Sequence, residues 1–349
     1  MRALTVAPGT ANSARVEEVP DPPLSDGAVL VKTLALGVCG TDREIVSGQY
    51  GWAPQGAQRL VIGHESLGKV EKAPADSGFK AGDVVVGIVR RPDPVPCPAC
   101  AVGEWDMCRN GRYTERGIKE RNGFGSDYFR IEPEFLVKVD LALGRAAVLL
   151  EPTSVVAKAW DHTQRIGQRT RSWRPKTLLV TGAGPVGLLA ALMGCQRGLE
   201  VHVLDHRENL LKRRLLDSLG AIYHAESLRD LNGLKPDIVM ECSGAPAVVR
   251  DVLGSTAASG IVCLVGVTAP GHDFDIDIGL LNRNMVLDNE TVFGTVNANR
   301  AHYQMAGDAL AKADKDWLER LITRREPVEQ WTKSLERLQD DIKVVVDFS

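Results

Sequence analysis

Residues 177–198 read TLLVTGAGPVGLLAALMGCQRG, and few stretches limit a fold so tightly. An apolar run of strand length ends in Gly182, Gly184 and Gly187 at G-x-G-x-x-G spacing, and apolar residues then recur at helical spacing. A glycine triplet alone is a weak signal. Between a strand and a helix each glycine has its own part to play. Gly182 turns the chain, Gly184 admits a pyrophosphate, and Gly187 lets helix and strand touch. Pro185 and Val186 complete the turn, where bare N–H groups at the helix start face the phosphates. Asp205 closes the next strand-like run, EVHVLD, where an acid accepts both ribose hydroxyls and repels a 2′-phosphate. NAD is therefore the expected cofactor, and the adjoining His206 and Arg207 keep NADP open as the alternative. An amphipathic helix near 208–218 and buried strands in AIYHA, DIVMECSG, GIVCLVG and TVFGTV extend the pattern to a doubly wound parallel sheet.

The first 150 residues have a different texture, with short β-rich runs such as VLVKTLALGVCG and DVVVGIV broken by glycine and proline. The strand-like tail IKVVVDF is expected to rejoin that first part, which makes the nucleotide domain an insertion. A chain of 349 residues with 25% charged residues and a net charge of -3 has no basic excess for nucleic acid. No apolar run is long enough to cross a membrane, and MRALTVAPGT lacks the pattern of a secretion signal. A cytoplasmic location is the expectation, and seven cysteines in a reducing compartment more often hold metal than each other.

Two sets of residues could do so. Cys39, His64 and Glu151 offer sulfur, nitrogen and oxygen, and three protein ligands leave a fourth position for water or substrate. Glu65 could replace one of them or orient it. Taken singly, each has a plain structural alternative: a small core cysteine, a hydrogen-bonded interior histidine, a helix cap before Pro152. The second set is Cys97, Cys100 and Cys108 in RPDPVPCPACAVGEWDMC, three thiols where a tetrahedral structural site wants four ligands.

GVCGTD (37–42), GHESLG (63–68), the thiol-rich lobe and TGAGPVG (181–187) stand in the order found in zinc-containing medium-chain dehydrogenases, which this chain resembles over essentially its whole length. The resemblance implies a fold of the α/β class, a GroES-like β-rich catalytic domain (1–152 and 298–349) with an inserted Rossmann NAD(P)-binding domain (153–297). It also implies a catalytic zinc at Cys39, His64 and Glu151 with Glu65 exchangeable, and Thr41 as the start of a proton relay. The relay histidine of alcohol dehydrogenases is replaced by Glu44. VRRPDP (89–94), RYTERGIKERNGFGSDYF (112–129), EPTSVVAKAW (151–160) and GTVNANRAHY (294–303) resemble the glucose 1-dehydrogenase branch. That branch implies sugar contacts from Thr41, Glu115, Glu151 and Asn297, with Asn297 also at the cofactor; Val155 and Val89 depart from polar residues of some members. Matched against the family pattern, Cys97, Cys100 and Cys108 fill three of four places, and Asp93, one residue before Pro94, is the candidate fourth ligand of a structural zinc.

The expected activity is oxidation of an aldose, D-glucose foremost, at C1 to the lactone, with Glu65 or Glu151 assisting catalysis and hydride passing to NAD(P). A polyol or secondary-alcohol dehydrogenase, and an inactive nucleotide-binding or structural protein, are the alternatives. A homodimer or homotetramer is the expected assembly.

Overall fold

The computed structural model describes residues 1–231, 233–268, 271 and 276–348. The chain divides into two compact units, one of Met1–Ser154 with Asn297–Ser349 and one of Val155–Val296.

In the second unit, six parallel strands lie in chain order at Thr177–Thr181, Glu200–Leu204, Ile222–His224, Ile238–Glu241, Ile261–Leu264 and Thr291–Gly294. Numbered along the chain, their order across the sheet is 3-2-1-4-5-6, the doubly wound arrangement. Leu179, Leu204, Val239, Val252 and Val262 form a core whose strands carry few polar residues, as strands covered on both faces must. The helix Pro185–Cys195 is buried continuously from Gly187 to Gly194, which explains why it is apolar all round. Asn209 caps the helix Leu210–Asp217 by accepting the Lys212 N–H at 3.0 Å. The sequence reading takes AIYHA and TVFGTV as buried strands, and here the structure differs. Both are edge strands, only partly covered, with Ile222 at 44% exposure and none of Thr291–Gly294 buried. A helix at Ile278–Asp288, not expected from the sequence, buries none of its residues.

In the first unit, one sheet runs Leu136–Lys138, Val84–Gly87, Glu65–Lys72, Val29–Val38, Lys343–Asp347, Ile322–Pro327, with Tyr128–Ile131 also paired to Val29–Val38. The C-terminal strand pairs antiparallel with Val29–Val38, Val344 opposite Val38, so the tail does rejoin the N-terminal strands. A smaller sheet sets Arg90–Arg91 beside Thr114–Arg116 and that strand beside Glu120–Arg121.

Candidate active site

Strand register assembles the first cluster. Gly37 lies opposite Glu65 on one side and Val345 on the other, so the ends of three strands bring Cys39, Glu65 and Lys343 together. A Cβ on Gly37 would fall 2.1 Å from Glu65 Oε2 and 3.0 Å from Lys343 Cε, so the glycine is needed for the room it leaves. Past the strand, Cys39 caps the helix Gly40–Val46, and its N–H donates to Asp42 Oδ2 at 2.8 Å.

Ligand atoms of Cys39, His64 and Glu65 all lie within 4.8 Å of one another. Sulfur, imidazole nitrogen and carboxylate oxygen gathered this closely are a donor set that suits zinc. Asp42 Oδ1 faces His64 Nδ1 at 3.4 Å, which turns the other ring nitrogen toward the group. Lys343 Nζ pairs with Glu65 Oε2 and donates to the Val38 carbonyl at 3.1 Å. All four of these partners are buried, His64 the most exposed of them at 5%. Burial opposes charge on His64, yet Asp42 outweighs it and holds the imidazole well above its usual range. Burial likewise opposes the Lys343 ammonium, and Glu65 more than offsets it. Glu151, in the first turn of the helix Leu150–Gly167, does not join the 4.8 Å group. It is near enough to feel the cluster: burial pushes its carboxyl up to about 7, with Glu65 adding to the rise while His64 and Lys343 oppose it. Thr41 Oγ1 lies 3.9 Å from Cys39 Sγ, and Glu44 is exposed.

The expected sugar residues meet each other. Glu115 Oε1 accepts from Arg90 Nε at 3.1 Å, from Arg90 Nη2 at 2.9 Å, and from Asn297 Nδ2 at 2.7 Å. Asn297 sits in the left-handed region at φ 64°, and its Oδ1 accepts the Ala298 N–H.

The thiol lobe is made of other material. Cys97, Cys100 and Cys108 also group within 4.8 Å, with Cys97 ahead of the short helix Pro98–Ala101. The Arg109 N–H reaches Cys97 Sγ at 3.4 Å, and such N–H donors pull that thiol down to about 6. Burial pushes Cys100 up to about 11. Asp93 does not join this group: Oδ1 accepts the Val95 N–H at 2.8 Å and Oδ2 pairs with Arg112 at 3.2 Å.

At the glycine-rich turn, Gly182 has φ 89°, and a Cβ on Gly187 would meet the Gly182 carbonyl oxygen at 1.8 Å. A Cβ on Gly184 would meet nothing within 4 Å, so open space lies in front of the helix that begins at Pro185, with Val186 in its first turn. That space, at the end of the first strand, fits a dinucleotide's pyrophosphate. Glu241 reinforces the neighbouring strand end by accepting the Ser243 and Gly244 N–H groups at 2.8 and 3.0 Å. Asp205 is buried and pairs with Lys212 at 2.6 Å and with His206 at 3.1 Å, while Arg207 donates to His206. Burial alone would raise the Asp205 carboxyl, but Lys212 and His206 hold it below the usual carboxylate range.

Sequence reasoning missed Asp42, Arg90, Lys212, Glu241 and Lys343. Asp42 and Arg90 lie inside quoted motifs, where an acid three residues after a cysteine and a paired arginine were available signals. Lys343 has no local signal, because strand pairing alone brings it to Glu65.

A β-rich unit closed by its own C-terminal strand, together with a doubly wound nucleotide unit, defines a nicotinamide-dependent dehydrogenase scaffold. Residues 25–141 match the alcohol dehydrogenase GroES-like domain, and residues 144–348 match the glucose dehydrogenase C-terminus. A glucose 1-dehydrogenase of Methanocella arvoryzae is 39% identical, the match covering 99% of both chains. That of Thermoproteus tenax is 38% identical, again over 99% of each. The Haloferax mediterranei glucose dehydrogenase solved with NADP, Zn and gluconolactone superposes with a TM-score of 0.91 at 30% identity, covering 100% of this chain and 99% of that one. The chain thus belongs to the zinc-containing medium-chain dehydrogenase family, in its glucose dehydrogenase branch.

Proposed function

We propose that this protein is a zinc-dependent glucose 1-dehydrogenase, oxidising an aldose at C1 to the aldonolactone and passing hydride to NAD(P). The observation that carries the reading is the pairing of two features in one unit: the Cys39–His64–Glu65 group with Thr41 beside it, and the Glu115–Asn297 pair. Cys39, His64 and Glu151 would hold the catalytic zinc, Glu151 moving in from outside the 4.8 Å group, with Glu65, already in that group and paired with Lys343, as the exchangeable carboxylate. Bound there, zinc supplies Lewis acidity that eases loss of the C1 hydroxyl proton. Thr41 takes or relays that proton, and exposed Glu44 stands where alcohol dehydrogenases of the family have the relay histidine. Glu115 and Asn297 orient the ring through hydroxyl contacts, and a site built to hydrogen-bond hydroxyls discriminates strongly against substrates that lack them.

Gly182, Gly184, Pro185, Val186 and Gly187 cradle the cofactor's pyrophosphate. Asp205 reads the ribose, with His206 and Arg207 beside it. Its charge is already balanced by Lys212, so it repels a 2′-phosphate less than a free carboxylate would, and both NAD and NADP are accepted, with NAD preferred. Cys97, Cys100 and Cys108 would hold a structural zinc, with Asp93, here bonded to Val95 and Arg112, as the candidate fourth ligand. The Ile278–Asp288 helix, with Ile278 at 71% and Leu287 at 66% exposure, supports a homo-oligomer formed through the nucleotide unit.

The test is steady-state kcat/KM for aldoses, polyols and simple alcohols with each cofactor. D-glucose leads the panel on this reading, and equal turnover of sorbitol or ethanol would overturn it.

A further inference from the structure

Arg90 and Arg91 are neighbours on one short strand, and they engage different partners. The Arg91 guanidinium is buried over the Phe135 ring at 4.0 Å and pairs with Glu132 at 2.9 Å. Arg90 pairs instead with Glu115, the carboxylate given to the sugar, and the Arg90 residue is only 5% exposed. Their registers explain the contact, since Arg90 lies directly opposite Glu115 in the antiparallel pair.

Three directions of the Arg90 fork are engaged at once. Nε and Nη2 close on Glu115 Oε1, Nη1 donates to the Asp106 carbonyl at 3.1 Å, and the planar group lies over the Tyr113 ring at 3.7 Å. Asp106 belongs to the turn just before Cys108, and its Oδ1 accepts Asn299 Nδ2 at 2.9 Å. Two residues earlier, Asn297 Nδ2 returns to Glu115 Oε1. The result is a loop closed by contacts and one short run of backbone: Arg90 to Asp106, to Asn299, along the chain to Asn297, to Glu115 and back to Arg90. Glu115 Oε1 carries all three donors from Arg90 and Asn297. Oε2 receives none of these and is left to accept from a ligand.

We propose that Arg90 is a positioning residue for the sugar, acting through Glu115: it fixes the carboxylate as an oriented anion with one oxygen committed and the other presented to substrate hydroxyls. The inference rests on the aldose reading for its ligand. A lysine cannot replace the fork, because a single ammonium cannot serve Glu115 from two nitrogens and Asp106 from a third. Pre-organisation of this kind lowers the ordering cost of binding rather than the barrier to hydride transfer.

The experiment is a double-mutant cycle on the purified full-length enzyme, with Arg90→Gln, Arg90→Lys, Glu115→Gln, the Arg90→Gln/Glu115→Gln pair, and Arg91→Lys for comparison. Arg90→Gln is expected to raise KM for glucose by about 10- to 100-fold, with kcat and KM for the nicotinamide cofactor changed by about twofold or less. Arg90→Lys should recover only part of that loss, and the pair should be no worse than Glu115→Gln alone. Arg91→Lys should lower thermal stability and leave the glucose KM within about twofold. The proposal is overturned by strictly additive effects in the cycle. Equal damage to the glucose and cofactor KM values, or to kcat alone, would overturn it as well. Should Arg90→Gln not fold, the Arg90→Lys and Glu115→Gln pair gives the same cycle. A wild type that turns over a polyol but no aldose would sink the aldose reading; the cycle run on that polyol would still decide the role of Arg90.

Discussion

Two clusters of side chains able to ligate a metal sit in one unit and are built from opposite materials. Cys39, His64 and Glu65 are surrounded by buried ionisable partners: Asp42 on the imidazole, Lys343 on the carboxylate, Glu151 within electrostatic reach. Cys97, Cys100 and Cys108 are set in a loop of prolines and N–H donors, and the candidate acid, Asp93, is committed to Val95 and Arg112. Balanced charge held out of water is costly to assemble and strong when used, which suits a reactive centre. Thiols fixed by backbone donors do not need such balance. They suit a staple.

The sharpest way to break this contrast is to remove one thiol from each cluster. Cys39→Ser should lower glucose kcat/KM by about a thousandfold or more, a loss of roughly 4 kcal/mol in transition-state stabilisation. Cys97→Ser should keep kcat within about threefold at 25 °C, while zinc content falls by one per chain and thermal unfolding moves down. Comparable loss of activity in both variants would erase the distinction. Next in size, Lys343→Met leaves Glu65 as an uncompensated buried charge and should destabilise the fold by about 3–5 kcal/mol, read from denaturant unfolding. An unchanged unfolding midpoint would mean the pair is not closed in solution.

Gly37→Ala is the narrower probe, because its new Cβ meets the Glu65 carboxylate and the Lys343 stem and touches nothing of the thiol lobe. Activity should fall by about 10- to 100-fold with both zinc ions retained. Retention of full activity would show that Glu65 does not need its present place. The smallest effect is expected in the nucleotide unit. Asp205→Ala should cost NAD about tenfold in kcat/KM and leave NADP within about threefold, since Lys212 and Arg207 remain to meet a phosphate. Equal losses would mean that Asp205 does not read the ribose.

What the sequence discloses follows from how local each constraint is. The glycine turn is legible because its demands are internal: Gly182 needs a left-handed backbone and Gly187 must clear the Gly182 carbonyl five residues away. Cys39 and Thr41 share one helix start, and the thiols share one loop, so spacing carries them too, while Asp42 on the same helix start goes unread. Lys343 is illegible by the same logic, since only the register of Val344 with Val38 and of Gly37 with Glu65 makes it a partner. The Arg90–Glu115 contact likewise depends on antiparallel pairing between two short strands far apart in the chain. In Ile278–Asp288 the apolar residues IGLL and MVL give no sign that none of them is buried, because apolar content alone does not say whether a partner surface belongs to the same chain.

The placement of Lys343 also sets an order of events during synthesis. Glu65 leaves the ribosome 278 residues ahead of its counter-ion, an interval of roughly 14–56 s at 5–20 residues per second. Through that time the N-terminal strands carry a carboxylate that cannot be sealed from water without its cation. The pocket therefore stays open and hydrated on the nascent chain. Docking of the strand Lys343–Asp347 on Val29–Val38 is then the event that brings Lys343 to Glu65 and dries the pocket.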